Sequence, residues 1–92
     1  MNSLMTWQRL KALILLRLAR KRKWGHSHTA FENLVKGVPS EFRGDARRAA
    51  DELVREGLVR VKPTSYGRHV SLNENKCEEI KEAIRRYFGN AV

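Results

Sequence analysis

Five cations in seven residues, Arg17, Arg20, Lys21, Arg22 and Lys23, carry the densest chemistry in this chain. No acid occurs in residues 1–28, which together hold a charge of +7. Charge that is not neutralised locally attracts polyanions, and guanidinium and ammonium groups suit phosphate oxygens. A second set comprises Arg47, Arg48 and Arg55, interleaved with Asp45 and Asp51. On a helix with Ala46 inward, Arg48, Asp51 and Arg55 point outward and Arg47 lies on the flank. Two chemistries compete there. Arg47 and Arg48 can each donate a bidentate pair to guanine O6 and N7, or the charges can pair four residues apart, Arg47 with Asp51, Arg48 with Glu52 and Asp51 with Arg55. Exposed pairs of that kind are weak enough for a nucleic acid to pull apart. A third set, Lys62, Ser65, Tyr66 and Arg68, surrounds a turn, where cations grip phosphate or enter a minor groove. Tyr66 either joins that contact or packs against Pro63. His26, Ser27, His28 and Thr29 offer further donors to phosphate, as do Ser40 and Arg43 ahead of the second set.

Other chemistries find little support. Of the three histidines, His26 and His28 stand two apart and can share a metal only from an extended segment, with His69. No acid or cysteine pair completes a tetrahedral set, so neither metal nor cofactor is expected. The single Cys77 excludes an intramolecular disulfide and a cysteine-built zinc site. It falls on an apolar helical stripe, as a buried small hydrophobe would. No glycine-rich phosphate loop, nucleophile elbow or inward carboxylate pair can be placed, and an enzyme is not expected.

Ninety-two residues with a net charge of +9 fit one small domain, 1–92, directed at polyanions: nucleic acid first, an acidic membrane surface second. The apolar run Ala12–Leu16 is too short to span a bilayer. No small-residue cleavage site follows it, so a cytoplasmic location is expected. Charge is uneven beyond residue 28: −1 over 29–57, +3 over 58–72 and zero over 73–92.

These groups need elements to hold them. Leu10, Leu13, Ile14, Leu16 and Leu18 predict a first helix, capped by Ser3 or Thr6 and ended by Trp24-Gly25. Leu13 to Leu16 cover more than one face, so the surplus is buried either under the other helices or in a dimer seam. Thr29-Ala30-Phe31-Glu32 fits a capping box for a second helix from Ala30 to about Lys36. Ala46, Ala49, Ala50, Leu53 and Val54 predict a third helix over 45–57, closed by Gly57. Leu58–Lys62 and His69–Leu72 alternate as two strands around the turn 63–68. Asn73 caps a last helix with the stripe Cys77, Ile80, Ala83, Ile84, Tyr87 and Phe88. The expected fold is therefore mainly α with a β-hairpin (α+β), in the order helix-helix-helix-strand-strand-helix.

That order, with Thr29–Lys36 as second helix, Asp45–Gly57 as third and Leu58–Leu72 as a hairpin wing, resembles a winged helix-turn-helix domain. The combination Leu53-x-x-x-Gly57-Leu58-Val59 followed by a glycine-containing hairpin carries the likeness most specifically. The chain is similar to small archaeal proteins of the broad MarR-like and ArsR-like class. The resemblance implies a double-stranded DNA-binding transcriptional regulator, working as a homodimer through its first and last helices. The third helix would enter the major groove, with Arg20, Lys21, Arg22, Lys23, His28, Thr29, Ser40, Arg43, Arg47, Arg48, Lys62, Ser65, Tyr66 and Arg68 as contacts. One departure is the acid Asp45 near the start of that helix, where such readers often carry Ser, Thr and Gln. The alternative is a module that binds RNA, or a protein, within a larger nucleic-acid complex.

Overall fold

Thr6 opens the first helix by accepting the Arg9 amide on its hydroxyl (3.2 Å), which satisfies one of the orphan donors of the first turn. The computed structural model describes residues 6–91, and the alternative cap, Ser3, lies outside them. Helix α1 (Trp7–Arg20) buries Leu10, Ala12, Ile14, Leu15, Leu16 and Leu18, so apolar atoms are covered around most of its circumference. The covering elements are α2 (Phe31–Lys36), α3 (Arg43–Arg55), α4 (Cys77–Phe88) and the sheet. Of the surplus Leu13 to Leu16, three residues are thus buried within a single copy of the chain and Leu13 is half-buried.

The fold is α+β, with four helices and a three-stranded antiparallel sheet, an architecture compatible with a winged helix. Its order is β1-β3-β2, where β1 is Thr29–Ala30, β2 is Val59–Thr64 and β3 is Gly67–Leu72. Two hairpin strands were expected, and β1 is the addition. Thr29 pairs with Val70 and Ala30 with His69. This pairing overturns the capping box: Thr29 is β-branched and committed to a strand, Ala30 precedes α2 with no side-chain cap, and Glu32 turns elsewhere.

Helix α3 ends as its sequence promised. The Leu58 amide returns to the Leu53 carbonyl (3.0 Å) and the Gly57 amide to that of Val54 (3.1 Å), with Gly57 left-handed at φ 81°. This is a Schellman closure, and it turns the chain directly into β2. Helix α1 closes in the same way but three residues earlier than Trp24-Gly25 implies. Lys23 donates to Leu18 and Arg22 to Ala19, both at 3.0 Å, and Arg22 takes the left-handed position at φ 57°. A side chain there costs about 1 kcal/mol relative to glycine. Arg22→Gly should therefore raise stability by about that amount in urea titration, with the helix boundary unchanged.

The hairpin turn is tighter than the span 63–68, since both strands extend to a two-residue tip, Ser65-Tyr66. Pro63 is accommodated because β2 is an edge strand. Asn73 caps a single 3-10 turn, Glu74–Lys76, that leads into α4, and does not cap α4 itself. Cys77, on the stripe of α4, is only half-buried.

Candidate nucleic-acid interface

The basic run after α1 is anchored by its main chain. The Leu72 amide donates to the Lys23 carbonyl (2.7 Å), and the Gly25 amide donates to the Leu72 carbonyl (2.9 Å). Trp24 thus bridges to the end of β3, the strand that runs back to the hairpin tip. Arg20, Lys21 and Arg22 are exposed and Lys23 is half-buried. None of the four has a carboxylate within ion-pair distance among the described residues. Arg17, grouped with them by sequence, behaves differently. Its guanidinium lies across Gly37, where a Cβ would collide with it, and its Nε is buried without a hydrogen-bond partner among the described residues.

Arg47 and Arg48 of α3 are engaged, though not with the acids expected, and Arg55 has no ion-pair partner among the described residues. Arg47 makes a fork-to-fork pair with Glu32 of α2, at 2.8 and 3.1 Å. Arg48 holds Asp45 at 2.7 Å, and Asp51 meets Arg68 of β3 at 3.5 Å. None of the three proposed pairs at four-residue spacing forms. Glu52 is taken by Lys11 (2.6 Å) and by the Trp7 indole N–H (2.9 Å). Lys11 also holds Glu56 at 2.7 Å. Burial alone would lower the Lys11 pKa, but its bonds to Glu52 and Glu56 outweigh burial and raise it. The bonds from Lys11 and Trp7 lower that of Glu52. Glu32 is likewise held below the usual carboxylate range, chiefly by its bond from Arg47.

Strand register divides the candidate residues between two faces of the sheet, because directly paired residues share a face. Arg68, Val70 and Leu72 lie on the face toward the helices, and Arg68 stacks 4.6 Å over the ring of Phe31. Arg60, Lys62, His69 and Ser71 lie on the outer face, joined by His28 next to β1. A pocket of about 140 Å³ opens there, lined by Gly25, His26, His28, Arg60, Val61, Lys62 and Ser71. The fourteen sequence candidates therefore do not form one patch. Arg47, Arg48 and Arg68 belong to the face formed with α2 and α3, whereas His28 and Lys62 lie on the outer face. Thr29 is half-buried and occupied in β1. Arg43 is exposed and turns back to donate to the carbonyls of Val38 (3.2 Å) and Lys36 (3.4 Å), closing the end of α2. Ser40 is exposed at the start of the short turn before α3.

At the hairpin tip Tyr66 is 95% exposed and does not pack against Pro63. The Thr64 hydroxyl braces the turn, donating to the Gly67 carbonyl (2.6 Å) and accepting the Tyr66 amide (3.2 Å). The tip is therefore a built projection with Ser65 beside it. Arg60 and His69 were missed as site residues. The alternation of β2 and β3 carried the signal, since Arg60 shares the parity of Lys62, and His69 that of its cross-strand partner.

His28 and His69 face each other through their Nδ1 atoms at 2.8 Å. One ring nitrogen must carry the hydrogen and the other accept it. Partial burial first, then Lys62, His69 and Lys23, push the His28 pKa below its ordinary value of 6.5. A lowered imidazole pKa means that the native state binds fewer protons than the unfolded chain. The stabilisation is complete above the unfolded value and is lost as pH falls through the folded one. Melting temperature should consequently drop between about pH 7.5 and pH 5.5, and His28→Gln should flatten that drop when followed by circular dichroism.

Among the described residues no three His, Cys, Asp or Glu side chains converge as a metal set, and no helix is long and apolar enough to cross a membrane. Comparison with protein-family models, with curated proteins and with solved structures finds no match.

Proposed function

We propose that this chain is a winged helix-turn-helix module that binds double-stranded DNA, as a transcriptional regulator does. The observation that carries this reading is the run Arg20–Lys23, four successive cations without acid partners among the described residues, tied by main-chain hydrogen bonds to the strand that leads to the hairpin tip. Cations already paired must exchange a partner to take a phosphate, whereas these need not. The β2–β3 hairpin serves as the wing, presenting Ser65 and Tyr66, and α3 lies beside it through the Asp51–Arg68 contact. Backbone neutralisation supplies the affinity, and α3 orients the protein in the major groove. The reading does not depend on a dimer, because one copy already buries all but Leu13 of the apolar run Ala12–Leu16.

Fluorescence anisotropy with duplex DNA, single strands and RNA at two salt concentrations tests the proposal. Duplex DNA should bind best, with a log–log salt slope of about −0.9 per phosphate neutralised. Tighter binding to RNA, or no binding to any of the three at low salt, would sink it. One observation favours a second reading, a module docking on a protein. Arg47 and Arg48 of α3 are matched with Glu32 and Asp45, and Asp51 of α3 with Arg68 of β3, which leaves a surface of alternating sign. An alternating surface suits a protein partner better than a uniform polyanion.

A further inference from the structure

We propose that the outer face of the sheet holds a binding site for a phosphate monoester, separate from α3. The pocket of about 140 Å³ has Ser71 as its buried floor, Gly25, His26 and His28 along one side, and Arg60 and Lys62 of β2 along the other. Its lining contains no carboxylate. Among the described residues Lys62 has no ion-pair partner, so its ammonium is available to a ligand. Arg60 is held by Asn73 Oδ1 at 2.9 Å and paired with Glu74 at 3.6 Å, so a ligand shares it with that carboxylate. Glu74 also lies against Gly25, which makes it the acid bordering the site. A phosphate monoester at neutral pH carries close to two charges and three strong acceptor oxygens. That matches the unpaired ammonium of Lys62, the guanidinium of Arg60 beside it, a hydroxyl and imidazole N–H groups. A phosphodiester brings one charge, and a carboxylate one charge on two oxygens.

The histidines make the site responsive. His28 faces Lys62, His69 and Lys23, whose positive field disfavours its charged form, with His26, Arg60 and Glu74 at the same pocket. A bound dianion offsets that field, so His28 takes up a proton as the ligand enters. Proton uptake that saturates with the ligand and requires His28 separates a built site from diffuse attraction to a basic surface. The site faces away from the helices, so α3 need not contact DNA for it to act.

The test is nuclear magnetic resonance of the histidine ring nitrogens while inorganic phosphate is titrated into the intact protein at constant ionic strength and about pH 7.5, where phosphate is mainly the dianion. Saturable shifts at His28 with an upward move of its titration midpoint are expected. Lys62→Ala, on an exposed strand position, should weaken binding by about tenfold, the loss of one charge-assisted hydrogen bond. His28→Gln should keep weaker binding but abolish the proton uptake seen by calorimetry in two buffers. Shifts that never saturate, or that survive Lys62→Ala unchanged, overturn the site. A second arm compares short duplexes with 5′-phosphate and 5′-hydroxyl ends. Preference for the phosphorylated end, lost in Lys62→Ala, identifies a strand terminus as the source of the monoester. Equal binding of both duplexes beside saturable phosphate binding identifies a free phosphate compound. A chain that binds phosphate but no DNA removes the proposed function and leaves this site standing.

Discussion

Replacing Arg20, Lys21, Arg22 and Lys23 together by glutamine should weaken duplex binding by about 3.6 orders of magnitude at roughly 0.1 M salt. The estimate assigns one phosphate to each cation, with a log–log slope of about −0.9 per phosphate. Four lost contacts flatten the slope by about 3.6, and at 0.1 M that difference is the stated loss. Stability should barely change, because these residues are anchored through the carbonyl of Lys23 and the amides of Arg22 and Lys23 rather than through their side chains. Anisotropy at three or more salt concentrations reads both quantities. An unchanged slope in a folded variant would mean that the segment stands clear of the DNA, and the reading built on it would fall.

The opposite change is expected on the other face. The variant E32Q/D45N/D51N should bind random duplex tighter than the wild type by up to about three orders of magnitude at roughly 0.1 M salt. Each substitution removes an acid from a surface facing a polyanion and frees one of Arg47, Arg48 and Arg68, so as many as three phosphates are added. Discrimination between sequences should fall together with the gain, because the acids penalise contacts that cannot replace them with a better partner. A wild-type arginine must leave a carboxylate before it takes a base edge, and only a correct base returns a bidentate pair. Competition of specific against random duplex measures the ratio. If random-duplex affinity stays where it was, α3 does not face the nucleic acid, and the docking of a protein on its alternating surface gains ground.

Local rules made α3 and the hairpin legible. The small inward residues of α3 and Leu53, Gly57 and Leu58 encode a helix, its closure and the turn into a strand within a few positions. Elements joined across the chain were not readable in this way. Strand β1 is two residues long, and only Val70 and His69, about forty positions away, make it a strand. Arg47 chose Glu32 fifteen residues back over Asp51 on its own helix, since packing α2 on α3 offered a bidentate geometry that four-residue spacing does not. Glu52 was lost to Arg48 because burying Lys11 required compensating carboxylates. The end of α1 was hidden for a different reason. Glycine is the ordinary stop signal, and here arginine occupies its conformation. The division of the candidate residues between two faces followed from register, which parity along β2 and β3 contained but a count of charge did not.

The middle position of β3 has a mechanical consequence. One of its ends is stitched to Lys23 and Gly25, and the other carries the Tyr66 turn, with β1 and β2 bracing its flanks. Six residues of strand separate the two grips by about 20 Å. On the proposed reading the strand holds the two grips at that spacing, like a caliper with its jaws locked. A locked caliper accepts partners by width. B-form and A-form duplexes present grooves of different breadth and depth, so a preference between DNA and RNA would follow from the length of a strand, with no contact to a base or a 2′-hydroxyl.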